Sequence, residues 1–477
     1  MVEPPLIIGP KWNLEEDDEP TTLKFSCVGC FEPIRVLRHK CPMCNWPACS
    51  PDCSGLTNPE LHDIECGLLR IGKGPADRTD VRAIKEYYKT DALLALKILL
   101  LQRKNPKKFK LMMTMEANEK SRLLTYNYKE AEERIMYLET NFLKPLKLAE
   151  DLAHQVIIAQ KDKKTLHKIY GIIETNAMYI NLSTGTEICG IYLTGCLLEH
   201  SCTPNCGYHF DMKNGFKLVV EAAREIKKEE HLSTMYSHVL WSTQLRQQHL
   251  KDSKYFTCKC QRCSDPSELG TNFSTLRCIG AEDGGPCNGL QLPTDPLSDK
   301  TEWACNKCPI KISNEQVMFL TGKMGEEIDK TLTNTPNAKE LEELIEKLSP
   351  FLHETHYHMF ALKHALIQIY GTHTNSQNKS LSDTILENKL KMCNELIGIV
   401  NTLDPHCIRL PIYTGIVLFE KHNALVELNR RSVKKYDLKD AKECLINAKK
   451  ILINEIDTIQ GKQLNEKITQ GIKKLSA

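Results

Sequence analysis

Eight side chains that bind metal well lie in four short pairs near the start of this 477-residue chain: Cys27-x2-Cys30, Cys41-x2-Cys44, Cys49-x3-Cys53 and His62-x3-Cys66. Thiolate and imidazole are the ligands zinc prefers, and closed four-ligand sites are structural, so this set suits two tetrahedral ions. The segment has few hydrophobic residues, so metal binding must supply much of its folding energy. A second group, Cys258-x-Cys260-x2-Cys263 in KYFTCKCQRC, offers three thiols and needs a fourth ligand from elsewhere. A third, Cys278-x8-Cys287 with Cys305-x2-Cys308, reads as a zinc ribbon with one widened knuckle, against the alternative of four free thiols. The cysteines at 189, 196, 206, 393, 407 and 444 lie in apolar contexts, where a buried structural thiol is the default.

A different chemistry is suggested by EHSCTPNC, Glu199 to Cys206. It gathers an imidazole, a hydroxyl, a thiol and a rigid proline, and reads neither as strand core nor as an ordinary turn. The bulk numbers frame these sites. With 63 basic against 61 acidic side chains the net charge is +2, which leaves no electrostatic footprint for nucleic acid. Charged residues at 26% and hydrophobics at 41% predict a soluble globular protein of several domains. MVEPPLIIGPKW lacks a basic n-region and a long apolar h-region, so no signal peptide is expected, and the 21 cysteines point to metal rather than disulfides. The greasiest run, ALLALKILLL at 92–101, contains Lys97, is far short of a membrane span and reads as a buried helix.

The elements that must position these residues change along the chain. PLIIG is strand-like and precedes the acidic EEDDEP. From Asp80 to about Gln160 the pattern is helical, with Leu93, Leu96, Leu100 and Ile135, Leu138, Phe142 at helix spacing. Within 166–240, IYGIIETNAMYI and the KLVVEAA that follows the turn DMKNG read as short strands. Beyond 312 helices return: Ser313 and Gln316 form a capping-box pair ahead of Val317, Leu320, Met324 and Ile328. Leu341, Leu344, Ile345, Leu348 and Leu438, Ala441, Leu445, Ala448 repeat the spacing, which suggests a helical-repeat bundle of tetratricopeptide-like kind.

The four pairs with their closing His-x3-Cys resemble the MYND zinc finger. The resemblance implies interleaved pairing: Cys27, Cys30, Cys49 and Cys53 on one ion, Cys41, Cys44, His62 and Cys66 on the other. It also implies a proline-containing peptide as partner, with Trp46 either a contact or a structural residue. HSCxPN followed by CxCx2C resembles the SET domain with its post-SET zinc, which implies Cys202 as the fourth ligand. Together these features resemble the SMYD proteins, SET-and-MYND protein-lysine methyltransferases. The ribbon, EPPLIIGPKW, CNWPAC and LPTDPL look most like the arthropod branch. The implied fold is α+β and multidomain: remnant N-terminal SET strands at 1–24, a MYND finger at 25–66, a helical SET insertion at 67–165, the β-rich SET core at 166–240, a post-SET zinc segment at 241–265, a zinc ribbon at 266–312 and a helical domain at 313–477.

That family transfers a methyl group from S-adenosylmethionine to a lysine amine. The reaction needs in-line alignment and a neutral lysine, whose free pKa is about 10.4. A narrow desolvated channel favours that neutral form. The resemblance implies Tyr236 as the residue orienting the lysine, and Asn176, His200, Asn205 and Phe256 around the cofactor. It implies two finger ions, one post-SET ion and a ribbon ion. Four departures stand beside it. Glu199 replaces the Asn that opens the motif; it could face the amino group or sulfonium, yet would repel the methionine carboxylate. Glu229-Glu230-His231-Leu232 replaces Gly-Glu-Glu-Leu. Lys254 replaces a Tyr, with Tyr255 one place later, and a cation there raises the cost of the sulfonium. The glycine-rich strand that precedes EPPL in relatives is not found, which suggests an N-terminally shortened form. Three functions therefore compete: a methyltransferase acting on histone or other proteins; a catalytically weakened scaffold that recruits chromatin or corepressor proteins through the finger and the helices; and a SAM-sensing form. No nucleic-acid or membrane binding is expected, and residence is expected in cytoplasm, nucleus or both.

Overall fold

The computed structural model describes residues 1–11, 25–34, 38–71, 91–144, 162–182, 187–280, 287–372, 381–431, 438–455 and 458–476. The acidic stretch, and the parts of the helical reading at 80–90 and 145–160, lie outside them. The chain divides into two compact units. One comprises Met1–Leu198, Tyr208–Val220 and Ser253–Tyr255; the other comprises Glu199–Gly207, Glu221–Asp252 and Phe256–Ala477. No described helix is long and apolar enough to cross a membrane.

In the first unit β1 (Val2–Glu3) pairs antiparallel with β11 (Lys217–Ala222, its last two residues assigned to the second unit), Val2 facing Val219, in a sheet of order β1-β11-β10, where β10 is Cys206–Asp211, all but its first two residues in the first unit. The strand-like PLIIG becomes β2 (Ile7–Lys11). It lies antiparallel to β8 (Glu187–Ile191), which in turn pairs β7 (Met178–Asn181). The first cysteine-rich segment is two tiny hairpins, β3 (Phe25–Ser26) with β4 (Pro33–Ile34) and β5 (His39–Lys40) with β6 (Pro47–Ala48), followed by α1 (Asp63–Ile71). Helix α2 (Ala92–Lys104) forms from the greasy run and is buried from Ala92 to Leu99, Lys97 included. Helix α3 (Tyr126–Leu138) packs Ile135 and Leu138 into the same core.

One strand expectation is corrected here. Lys163–Asn176 is a helix, α4, and only Met178–Asn181 of IYGIIETNAMYI is strand. The Asp162 side chain caps α4 by accepting from the Thr165 N–H at 2.8 Å. Leu166, Ile169, Tyr170 and Ile173 are buried at helical spacing, with Ile172 buried beside them; a window that starts at Ile169 leaves out Leu166 and reads as a short apolar run. Gly171 serves close packing: a Cβ there would lie 2.5 Å from the Ala117 carbonyl oxygen.

The second unit is mixed. A short parallel pair, β9 (Glu199–His200) with β12 (Ser233–Thr234), sets Glu199 opposite Ser233 and His200 opposite Thr234. Helix α5 (Thr243–Lys254) follows, with all but its last two residues in this unit. An antiparallel sheet of order β13-β14-β15-β16 is built from Leu276–Arg277, Leu290–Pro293, Glu302–Cys305 and Lys311–Ser313. Among the described residues seven helices come next: α6 (Asn314–Thr333), α7 (Ala338–Leu348), α8 (Tyr357–Thr372), α9 (Asp383–Leu403), α10 (Pro411–Arg431), α11 (Leu438–Ile451) and α12 (Ile459–Ser476). From α7 onward each packs on its neighbour in sequence. The expected capping box forms, with Ser313 Oγ accepting from the Gln316 N–H and the Gln316 side chain accepting from the Ser313 N–H. Its helix buries Val317, Thr321, Met324 and Ile328; Leu320, expected on that face, is instead 37% exposed. The fold class is thus mixed α and β, with several Cys/His clusters and a helical C-terminal region.

Candidate metal centres and active site

Four sets of side chains converge: Cys27, Cys30, Cys49, Cys53; Cys41, Cys44, His62, Cys66; Cys202, Cys258, Cys260, Cys263; and Cys278, Cys287, Cys305, Cys308. Within each set the donor atoms lie within 4.8 Å of one another. Sulfur–sulfur separations are 3.9 Å for Cys27–Cys53, 3.6 Å for Cys30–Cys49, 3.7 Å for Cys41–Cys66, 3.5 Å for Cys202–Cys263 and 3.6 Å for both Cys278–Cys308 and Cys287–Cys305. A disulfide needs about 2.05 Å. A tetrahedron with metal–sulfur bonds of about 2.3 Å has edges of roughly 3.7 Å. The donor sets therefore fit zinc.

The sites differ in exposure. Cys41, Cys44, His62 and Cys66 are all buried, whereas Cys49 is exposed and Cys287, Cys305 and Cys308 are half-buried. Trp46, weighed as a peptide contact, is fully buried, so the structural alternative holds. His62 turns Nε2 to Cys44 Sγ at 3.4 Å and Nδ1 to Glu65 Oε1 at 3.1 Å. With Nε2 toward the metal, Nδ1 donates to that carboxylate, which fixes tautomer and ring plane. Sequence reading missed Glu65, although its place three residues after His62 on one helical turn was the available signal.

Cys202 sits in the core of the second unit with Met235, Leu250, Cys258 and Cys263. The strand pairing that holds this segment also fixes His200. The Tyr236 N–H donates to His200 Nδ1 at 2.9 Å, which puts the ring proton on Nε2, 3.4 Å from Cys202 Sγ. Burial pulls His200 down to about 4, so the ring is neutral near pH 7. The half-buried rings of Tyr236 and Phe256 lie 5.2 and 5.7 Å from it, both tilted. Asn205 is buried, and its amide is engaged within the protein. Nδ2 donates to the His231 carbonyl oxygen at 2.8 Å and to Glu230 Oε1 at 3.0 Å, while Oδ1 accepts from the Ser233 N–H at 2.8 Å. The side chain thereby braces the 205 turn against 230–233.

The departures also find places. Glu199 Oε1 accepts from His231 Nδ1 at 2.8 Å. Glu229, where the family has Gly, holds the left-handed backbone conformation at φ 68. In the first unit, Asn176 Nδ2 donates to the carbonyl oxygens of Glu116 and Ile172 at 2.8 and 2.9 Å, so both its amide hydrogens are taken. Lys254 Nζ donates to the Thr175 carbonyl oxygen at 2.6 Å, capping the C-terminus of α4. Tyr255 accepts from Asn127 Nδ2 through its hydroxyl at 2.8 Å. Asn176 thus lies in one unit, and His200, Asn205, Tyr236 and Phe256 in the other.

A further polar cluster backs the Cys202 set. Arg246 Nη2 lies 3.5 Å from Cys263 Sγ, and Nη1 donates to Glu268 Oε2 at 2.8 Å. Arg262 Nη2 reaches the same oxygen at 2.9 Å, and all three side chains are at most 2% exposed.

The SET domain family matches residues 80–237. SET domain-containing protein SmydA-8 (isoform A) of Drosophila melanogaster is 27% identical over 330 residues, 67% of this chain and 62% of that protein. Histone-lysine N-methyltransferase ASHR1 of Arabidopsis thaliana is 26% identical over 360 residues, 72% of this chain and 67% of that one. Histone-lysine N-methyltransferase SMYD3 of Mus musculus is 40% identical over 74 residues, 16% and 17% of the two chains. The match to the Drosophila protein thus spans less than two thirds of that protein's length. With the SET match at 80–237 and these relatives beside the four Cys/His clusters, the chain is similar to the SMYD proteins, the arthropod SmydA-8 among them.

Proposed function

We propose that the chain is an S-adenosylmethionine-dependent protein-lysine N-methyltransferase whose zinc ions are architectural. The observation that carries this reading is the cluster of His200, Tyr236 and Phe256 rings on a segment that Cys202 ties to the 258–263 thiols. The names of the mouse and Arabidopsis relatives support the same reaction class. When bound, S-adenosylmethionine supplies a methyl group on a sulfonium that carries its own leaving group.

The chain's residues then have separable tasks. His200 accepts from the Tyr236 main chain and so fixes the backbone that carries the phenol. Tyr236 orients the lysine amine through its hydroxyl, and the half-buried aromatic surroundings disfavour the ammonium form. Phe256 offers a ring face to the adenosyl group. The four-thiol site holds these segments in register and takes no part in the reaction. The chain's setting is cytoplasmic or nuclear, with a role in transcription. Because Trp46 is buried, Met43, 61% exposed between two metal ligands, is an apolar side chain among the described residues that the finger offers to a peptide partner.

A second reading, a zinc-dependent interaction scaffold, is favoured by Glu199, whose carboxylate replaces the family's cofactor-facing amide. Calorimetric titration of S-adenosylmethionine into the zinc-loaded chain, followed by labelled-methyl transfer to lysine peptides and histones, separates the two. Micromolar binding, about −8 kcal/mol, with turnover abolished in Tyr236→Phe, is expected. No heat up to millimolar ligand and no thermal shift would overturn the enzyme reading and leave the scaffold.

A further inference from the structure

Lys97 is the one charged residue inside the apolar run that forms α2, and it is 1% exposed. Its ammonium donates to the Ile8 carbonyl oxygen of β2 at 2.8 Å and to the Leu61 carbonyl oxygen just ahead of α1. It lies 3.5 Å from Glu65 Oε1 and 5.6 Å from the centroid of the Phe31 ring. Glu65, itself fully buried, receives the His62 Nδ1 proton with the same oxygen. Burial works against the Lys97 charge, and Glu65 foremost, with Cys189, opposes that pull.

The charges explain why such a residue is kept in a core. Three thiolates around a dication leave one net negative charge. Glu65 adds a second, one hydrogen bond away. Buried charge of that kind is costly unless paired, and Lys97 supplies the pairing charge while satisfying two main-chain carbonyls. We propose that Glu65 and Lys97 are positioning residues that wire the Cys41–Cys44–His62–Cys66 metal site into β2 and α2, so that metal occupancy and packing of this core form one cooperative unit. The finger segment is then no detachable module: emptying its inner site frees Glu65 and leaves the Lys97 ammonium with carbonyls alone.

The proposal rests on the inner site binding zinc, which the metal content of the wild-type chain checks on its own. The test uses the full chain as wild type, Glu65→Gln, Lys97→Met and the double variant. Zinc release is followed with a chromophoric chelator. Cobalt(II) loading identifies the site, because one imidazole among three thiolates gives a spectrum distinct from all-thiolate sites. Hydrogen exchange is read at Ile7–Lys11 and Ala92–Lys104. Loss of an outer-shell partner typically weakens a metal about 10- to 100-fold. The inner ion in Glu65→Gln is therefore expected to leave about 10- to 100-fold faster while the other ions keep their rates. Lys97→Met should speed the same ion, the double variant should resemble the single ones rather than multiply them, and removal of that ion from wild type should raise exchange in β2 and α2. Glu65→Gln is isosteric and decides the matter even if Lys97→Met does not fold. Wild-type release in Glu65→Gln, or unchanged exchange in β2 and α2 after the inner ion is removed, would overturn the proposal.

Discussion

The Glu199 carboxylate accepts from His231 Nδ1 at 2.8 Å, and these are two of the positions at which the chain departs from its family's motifs. The parallel register of β9 and β12 brings the two strand ends together, so the substitutions meet each other. The side chains are 60% and 77% exposed. An exposed pair of this kind contributes at most about 1 kcal/mol. His231→Glu, which sets two carboxylates together, should destabilise within that limit, and adding Glu199→Asn should restore the loss. A thermal-melt double-mutant cycle measures the coupling, and additive effects would mean that the contact is incidental.

Glu229 holds φ 68 on an exposed turn where the family uses glycine. A side chain in the left-handed region costs roughly 1 kcal/mol. Glu229→Gly should therefore stabilise the protein by about 0.5–1 kcal/mol, somewhat offset by the greater freedom of unfolded glycine. Denaturant titration of the two zinc-loaded proteins checks it; a loss of stability would show that the Glu229 side chain makes up for its backbone.

Glu268 lies between Arg246 and Arg262, with all three side chains out of water. Burial pushes its carboxyl up, and the two guanidiniums overcome that and hold it at about 2. The folded value lies below the unfolded one of about 4.3. The group's stabilisation is thus complete above that range and fades as pH falls toward about 2. Glu268→Gln should cost about 3–5 kcal/mol near pH 7. The gap to wild type should stay level above pH 5 and shrink below pH 4, and a gap independent of pH would remove the carboxylate from the account.

Exposure predicts the order of metal loss. The ribbon set and the Cys27–Cys30–Cys49–Cys53 set include half-buried or exposed ligands, whereas the Cys41–Cys44–His62–Cys66 set is wholly buried. A chelator should strip the former two first, and Cys308→Ser and Cys49→Ser should each delete one fast phase. A single common rate for all four sets would contradict this ordering.

What could be read from the chain follows the range of the interactions. Short Cys-x2-Cys spacings announced the metal pairs because a ligand pair is a local object. That Cys202 would meet Cys258, Cys260 and Cys263 could come only from resemblance, since nothing local joins residues so far apart. IYGIIETN misled because, taken without Leu166, it reads as a short apolar run, whereas Leu166, Ile169, Tyr170 and Ile173 together hold helical spacing. Trp46 was left between a peptide contact and a structural residue, and its burial decides for the latter. Lys97 was visible as an oddity in an apolar run; the Ile8, Leu61 and Glu65 atoms that explain it come from distant segments.

The division of the chain has a consequence for its birth on the ribosome. The first unit takes in residues 208–220 and 253–255 as well as the N-terminal stretch, and the second begins with 199–207. A nascent chain therefore cannot finish the first unit before Tyr255 has emerged, by which time the opening segments of the second are already outside the tunnel. The first unit can therefore close only with segments of the second already exposed, and no single cut in the chain separates the two.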